Sequence, residues 1–234
     1  MKRAALDASP RGPSSNSAVI LGWMVEGFRC AGAGEVPVVH LARDAEASRT
    51  ALLSADEILI AFPLYTDFLP GLLKEFLDSL VPLEPSLLEG KRIAWIIHSG
   101  FPESIHCEAV AAWLRRATER LGMKCAGILV KGGSEGLRLM PPAMTRKVHG
   151  AFADSAASLV ETGGFNEASA KFLAGKRRYG FFGRLAISVL RSAGFLDFYW
   201  NSMLRKHGAM DRRYDAPYGE PYGKSTRTGH HEGA

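Results

Sequence analysis

Residues 55–80 read ADEILIAFPLYTDFLPGLLKEFLDSL. Their core, ILIAF, is a continuous apolar run, the pattern of a strand buried on both faces, as in parallel sheets. Pro63 and Pro70 then bracket a stiff loop. Beyond Pro70 the apolar period changes to about four. Leu69, Leu72, Leu73, Phe76, Leu77 and Leu80 line one face, with Lys74, Glu75 and Asp78 opposite. This spacing predicts an amphipathic helix. Buried strand, loop and amphipathic helix make one βα unit.

The same alternation extends in both directions. RAALDA (3–8) reads as a strand, and 16–29 as a helix with Leu21, Met24, Val25 and Phe28 at helical spacing. VPVVHLA (36–42), RIAWIIHSG (92–100) and CAGILVKGG (125–133) are further strands. Residues 104–121 place Val110, Trp113, Leu114, Ala117 and Leu121 on one stripe, with Gly122 to end the helix. The last helix starts at Pro141 or Pro142 and ends at Gly163. Five βα units in order predict a doubly wound, five-stranded parallel sheet with right-handed crossovers. Such sheets bind ligands beyond the C-terminal ends of their strands. The loops to watch are 8–16, 62–70, 98–103 and 131–139.

The chain has 234 residues, enough for one α/β domain and an extension. Its 47% hydrophobic and 23% charged content is that of a globular protein. Three cysteines, Cys30, Cys107 and Cys125, form no CxxC and no metal-ligand spacing, which points to a reducing compartment. No leader-like or bilayer-spanning stretch is present, so a cytoplasmic location is expected. The net charge is +5, but residues 171–234 hold 12 Lys/Arg against 5 Asp/Glu and residues 1–170 hold 17 against 19. The basic character belongs to the tail, and no nucleic-acid partner is expected.

Loop 8–17, ASPRGPSSNS, joins the first strand to the first helix. Ser9, Ser14, Ser15, Asn16 and Ser17 supply hydroxyls and an amide, and Arg11 a full charge, at a helix N-terminus suited to a phosphate monoester. An ordinary Ser/Asn cap is the other reading. Loop 62–70 carries Tyr65 and Phe68 just beyond a buried strand. Loop 98–103, HSGFPE, offers Gly100 for close backbone approach and the ring of Phe101, while His98 at a strand end reads first as structural. A phosphate cradle beside aromatic loops fits a flat heterocycle with a phosphorylated tail.

On ASPRGPSSNSA, on residues 55–80 and on GKRIAWIIHSGFPES, the sequence resembles the flavodoxin-like NAD(P)H-dependent FMN reductases. The resemblance covers roughly residues 1–165. It implies that Ser9, Arg11, Ser15, Asn16 and Ser17 hold the FMN phosphate. Pro63, Leu64, Tyr65, Thr66 and Phe68 would line the isoalloxazine ring, and Ser99, Gly100 and Phe101 close its other edge. Ala8 stands where the family usually has Gly, which narrows backbone freedom at the loop start. Ser17 stands where Thr is usual and keeps the hydroxyl. The implied activity passes hydride from NAD(P)H to the flavin and on to a quinone, flavin or other small acceptor. The flavin supplies the chemistry, so no catalytic side chain is singled out. A non-enzymatic electron carrier or scaffold is the alternative.

The expected organisation is a flavodoxin-like FMN-binding domain over 1–164, a helical extension over 165–208 and an extended or disordered tail over 209–234. In the extension, Phe181, Phe182, Leu185, Val189, Phe195, Phe198, Tyr199 and Trp200 pack on the core or on a second subunit. Alternatively residues 178–206 lie on a membrane surface, with Arg184, Arg191, Arg205 and Lys206 at lipid phosphates. The resemblance implies a homodimer.

Overall fold

The structure, a computed structural model, describes residues 1–180, 183 and 197–215. Five strands, β1 (Arg3–Asp7), β2 (Val38–His40), β3 (Glu57–Pro63), β4 (Arg92–His98) and β5 (Lys124–Lys131), form one sheet in the order β2-β1-β3-β4-β5. Every pairing is parallel. The helices are α1 (Asn16–Cys30), α2 (Ala45–Ser54), α3 (Gly71–Asp78), α4 (Glu108–Arg120), α5 (Pro142–Glu161), α6 (Glu167–Ala174) and α7 (Asp197–Lys206). This is the doubly wound parallel arrangement that the apolar runs predict, with the flavodoxin-like form that the resemblance implies. The strand order reverses direction between β1 and β3, which opens a crevice at their C-terminal ends.

Side-chain alternation divides the core into two layers. Ile58, Ile60 and Phe62 of β3 join Ile93, Trp95 and Ile97 of β4 under Leu73, Phe76 and Leu77 of α3 and Leu114 of α4. Leu59, Ala61, Ala94 and Ile96 face the other way, onto Leu21, Met24 and Phe28 of α1 and Phe152 and Leu159 of α5. All seven residues of β3 are buried. That explains why its sequence shows an unbroken apolar run. Helices α1 and α5 cross at Gly27, where a Cβ would lie 2.4 Å from the Ala153 carbonyl oxygen.

Two elements differ from the spacing-based reading. Helix α2 carries no long apolar stripe and buries little beyond Leu52 and Ser48; Asp44 caps it by accepting from the Ala47 N–H at 2.8 Å. The expected helix 104–121 begins as a 3-10 turn over Ser104–Cys107, and α4 proper starts at Glu108.

The chain divides into two compact units, Met1–Arg178 and Tyr179–Ala234. Helix α6 belongs to the first, with Leu173 1% exposed among the apolar residues of α1 and α5. The segment after α6 turns back over the β4 loop. The Ser104 N–H donates to the Lys176 carbonyl at 3.1 Å and the Ile105 N–H to that of Arg177 at 3.3 Å. The Arg177 guanidinium pairs with both oxygens of Glu108. In the second unit α7 ends in Arg205 and Lys206, Trp200 is exposed, and Arg213 stacks over the Tyr214 ring at 4.7 Å. The packing expected of Phe181, Phe182, Leu185, Val189, Phe195, Phe198 and Tyr199, with Arg184 and Arg191, falls outside the described residues and side chains, as does the tail beyond 215. Among the described residues no helix is long and apolar enough to cross a membrane.

Candidate functional site

Four loops meet at the C-terminal edge of the sheet. The first follows β1. Gly12 carries the positive φ there, 53°, opening a 3-10 turn over Gly12–Ser14. Ala8 does not have a positive φ. It is buried, and its N–H donates to the Ala61 carbonyl at 2.9 Å, so the freedom this turn needs is supplied by Gly12. Ser15 caps α1, accepting from the Ala18 N–H at 2.9 Å.

Ser9, Ser15 and Ser17 are buried, and their hydroxyls are engaged inside the protein. The Ser9 Oγ accepts from the Arg11 N–H at 3.3 Å. Ser15 donates to Asp7 Oδ2 at 3.1 Å, and Ser17 Oγ lies 2.7 Å from His98 Nε2. Asn16 ties the loop to the one after β5. Its amide donates to the Ser134 carbonyl at 2.8 Å, and its side-chain oxygen accepts from the Arg138 N–H at 3.0 Å. Arg11 is exposed. The backbone N–H groups of Asn16 and Ser17, at the first two positions of α1, find no acceptor among the described residues.

Loop 63–70 starts with two buried residues, Pro63 and Leu64, and the Leu64 N–H donates to the His98 carbonyl at 2.8 Å. Tyr65 and Phe68 then exchange backbone hydrogen bonds at 2.9 and 3.0 Å around a two-residue turn. Thr66 and Asp67 both have positive φ, 48° and 61°. This is the demand of a type I′ turn, which Gly and Asn meet most readily. A β-branched threonine there is strained. Tyr65 is 45% exposed. Phe68 turns toward α4 and meets Trp113 edge-on at 5.2 Å.

In the β4 loop, the Ser99 Oγ accepts from the Phe101 N–H at 3.0 Å. Gly100 is exposed and passes close to Glu135; an added Cβ would lie 3.3 Å from its Oε2. Phe101 is 55% exposed and stacks on His106 at 4.5 Å. His106 Nδ1 lies 3.4 Å from Asp67 Oδ1, and its Nε2 lies 3.9 Å from Glu103, so this ring joins the β3 and β4 loops. Spacing alone hides His106, because it falls inside an apparent helix. Gly132 lets the β5 loop lie against Pro102, where a Cβ would come within 2.7 Å of the carbonyl oxygen.

Two buried ionisable groups lie behind these loops. His98 Nδ1 is 3.0 Å from Ser134 Oγ, and Ser134 spends its own proton on the Ser99 carbonyl, also at 3.0 Å. His98 therefore donates from Nδ1, and its Nε2 accepts from the Ser17 hydroxyl. Burial, then the Lys131 charge, pulls the imidazole down to about 3, so it is neutral. Burial also lowers Lys131, whose ammonium donates to the Gly132 carbonyl. The second group is Asp7, the last residue of β1, with no exposure. Burial raises its carboxyl, against the opposing pull of the Ser9 N–H, His40 and Ser15. A single acid closing an apolar strand was its only trace in the sequence.

The arrangement offers two free N–H groups at the start of α1, after a loop that carries exposed Arg11, suited to an oxyanion, and two exposed rings in adjacent loops, suited to a flat heterocycle. A groove of about 690 Å³ between α3 and α4, floored by Leu77, Leu80 and Trp113, shares no residue with these loops.

Comparison with solved structures places similar folds beside this one. The Trp repressor binding protein from Bacillus subtilis superposes with a TM-score of 0.54 at 19% identity, over 69% of this chain and 99% of that one. An FMN-dependent NADH-azoreductase from Bacillus anthracis, in complex with FMN, gives 0.52 at 16% identity, over 68% and 99%. An NADPH-quinone reductase from P. pentosaceus gives 0.51 at 20% identity, over 67% and 98%. No curated protein matches the sequence. Residues 1–137 match the family described as the flavodoxin-like fold. With the sheet order and the match over most of the chain in agreement, the protein belongs to that flavodoxin-like family.

Proposed function

We propose that this protein is an FMN-dependent NAD(P)H oxidoreductase that hands electrons to a quinone, a flavin or another small acceptor. The observation that carries the reading is the pairing of two features on one edge of the sheet. The free N–H groups of Asn16 and Ser17 lie at the N-terminus of α1, after the loop with exposed Arg11. The exposed rings of Tyr65 and Phe101 stand in the two neighbouring loops. Similar folds described as an FMN-dependent NADH-azoreductase and an NADPH-quinone reductase support the same class.

The residues present fit FMN. Ser17 is fully buried, yet its N–H lacks an acceptor, and a phosphate oxygen supplies one. Ser15 and Ser17 act by fixing the loop, since their hydroxyls are turned to Asp7 and His98, and Ser9 accepts from the Arg11 N–H within it. Arg11 adds charge from the solvent side. Pro63 and Leu64 form the floor beneath the ring site, Tyr65 and Thr66 its β3 wall, and Ser99, Gly100 and Phe101 its β4 wall. Phe68 holds that wall against Trp113. Bound FMN would supply hydride acceptance from the nicotinamide and delivery to the second substrate. The aromatic walls orient the ring and keep water from its edges.

The test is the visible spectrum of freshly purified protein, before and after reconstitution with FMN. The expected result is a flavin spectrum and NAD(P)H oxidation that rises on adding a quinone. Colourless protein that takes up no FMN would favour a scaffold instead. The homodimer and the contact of residues 178–206 with a membrane surface are separate proposals, tested by molecular mass in solution and by co-sedimentation with anionic vesicles.

A further inference from the structure

Asp7 holds both ends of the β1 loop. Its Oδ1 accepts from the Ser9 N–H at 3.0 Å, and its Oδ2 accepts the Ser15 hydroxyl at 3.1 Å. The same Oδ2 lies 2.9 Å from His40 Nδ1. Asp7 is fully buried, while the His40 side chain is 22% exposed. A carboxylate thus holds the hydroxyl of the residue that caps α1, next in sequence to the N–H groups offered to a phosphate.

That placement sets a charge problem. A phosphate monoester is largely a dianion above its second ionisation, near pH 6. A like charge brought close in a low dielectric disfavours full ionisation of both groups. One proton added behind the loop removes the conflict. The surroundings of Asp7 allow it. β3 sets Ala61 beside Asp7, α1 presents Ser15, and β2 presents His40. Arg11 is exposed on the loop itself. Of these, His40 is the ionisable group in contact with Asp7, and its partial exposure gives a proton a route from solvent.

We propose that the Asp7–His40 pair takes up one proton when a phosphate monoester binds the β1 loop, so that the site holds a dianionic phosphate over a neutralised acid. The proposal rests on the FMN reading above. The proton comes from solvent and adds at His40 Nε2 while the Nδ1 proton passes to Asp7 Oδ2, so one N–H bond forms, the Nδ1–H bond gives way to an O–H bond, and both groups end neutral. Asp7 is then a positioning residue that also sets the ionic state in which the ligand is held.

The test measures FMN binding by calorimetry at pH 8 in two buffers of different protonation enthalpy, with riboflavin, which lacks the phosphate, as the reference. The expected result is uptake of about one proton with FMN and none with riboflavin. The ³¹P resonance of bound FMN stays at its dianion position. Asp7→Asn keeps an oxygen for the Ser9 N–H and an amide for Ser15, abolishes the uptake and tightens FMN at pH 8 by on the order of tenfold, the effect of about one unit of linkage. The wild-type protein alone gives a second measure. Its FMN dissociation constant rises about tenfold per pH unit above neutrality while that of riboflavin stays level. Binding of FMN without proton uptake, a flat FMN profile, a monoanion ³¹P shift, or uptake retained by Asp7→Asn overturns this proposal alone. No FMN binding at all overturns the FMN reading, and the proposal with it.

Discussion

His98 Nε2 lies 2.7 Å from Ser17 Oγ, so the end of β4 is bonded to the first turn of α1 across the β3 strand between them. Through Nδ1 the same ring reaches Ser134 in the β5 loop. Three of the four loops at the site share one neutral imidazole.

That imidazole makes stability depend on acid. His98 is held near 3 in the folded protein, well below the ordinary histidine value of 6.5. Between these values the unfolded chain binds the proton and the folded one does not. Its contribution is therefore fully present above about pH 6.5 and is lost as pH falls toward 3, with a slope of up to about 1.4 kcal/mol per pH unit. Urea denaturation from pH 7 to pH 4 should show this decline. In His98→Gln the decline should be shallower, at the cost of a lower stability at pH 7.

Replacing His98 with Leu should be worse than replacing it with Gln. Leu leaves the buried Ser17 hydroxyl facing an apolar side chain, while Ser134 keeps its bond to the Ser99 carbonyl. The expected loss is about 1–3 kcal/mol for the group left unpaired. Denaturation of the two variants side by side checks the order.

Thr66 should give stability back. Its φ of 48° suits Asn or Gly far better than a β-branched residue. Thr66→Asn is expected to raise stability by about 1 kcal/mol. A rise in melting temperature, with the far-UV spectrum unchanged, would show it.

Gly27 should tolerate no side chain. An added Cβ meets the Ala153 backbone, which cannot rotate away. Gly27→Ala should push α1 from α5 and cost about 1–3 kcal/mol. Denaturation measures that cost directly. Gly22→Ala, on the same helix with open space around it, is the matched control.

Arg11 is the charged side chain of the β1 loop. Arg11→Ala should weaken FMN binding on the order of 10- to 100-fold, the range of one charge-assisted hydrogen bond. Fluorescence titration of FMN measures it, and an unchanged affinity would remove Arg11 from the site.

The sheet was legible because β3 and β4 are buried on both faces, and such strands leave unbroken apolar runs. Helix α2 was not, since ten residues packed through Leu52 and Ser48 leave no stripe to read. At the site, the aromatic loops and the Ser/Arg loop stand out by residue type. What residue type does not reveal is direction. Ser15 and Ser17 look like donors for a ligand, and the structure turns both toward buried partners, Asp7 and His98. Ala8 meets no demand for backbone freedom, because the positive φ of this turn lies at Gly12. Asp7, His40 and His106 come from three separate segments, and their contacts exist only once the strands are side by side.

The backbone bonds from Ser104 and Ile105 to Lys176 and Arg177 give the chain two different endpoints. A protein truncated after Thr162 would keep all five strands and the helices α1 to α5, and by that standard it would be whole. It would have lost the carbonyls that anchor the loop bearing Phe101, along with the Arg177 partner of Glu108. Truncation at the edge of the recognisable fold would therefore cost the protein twice, taking Leu173 out of the core and the anchors away from the rim.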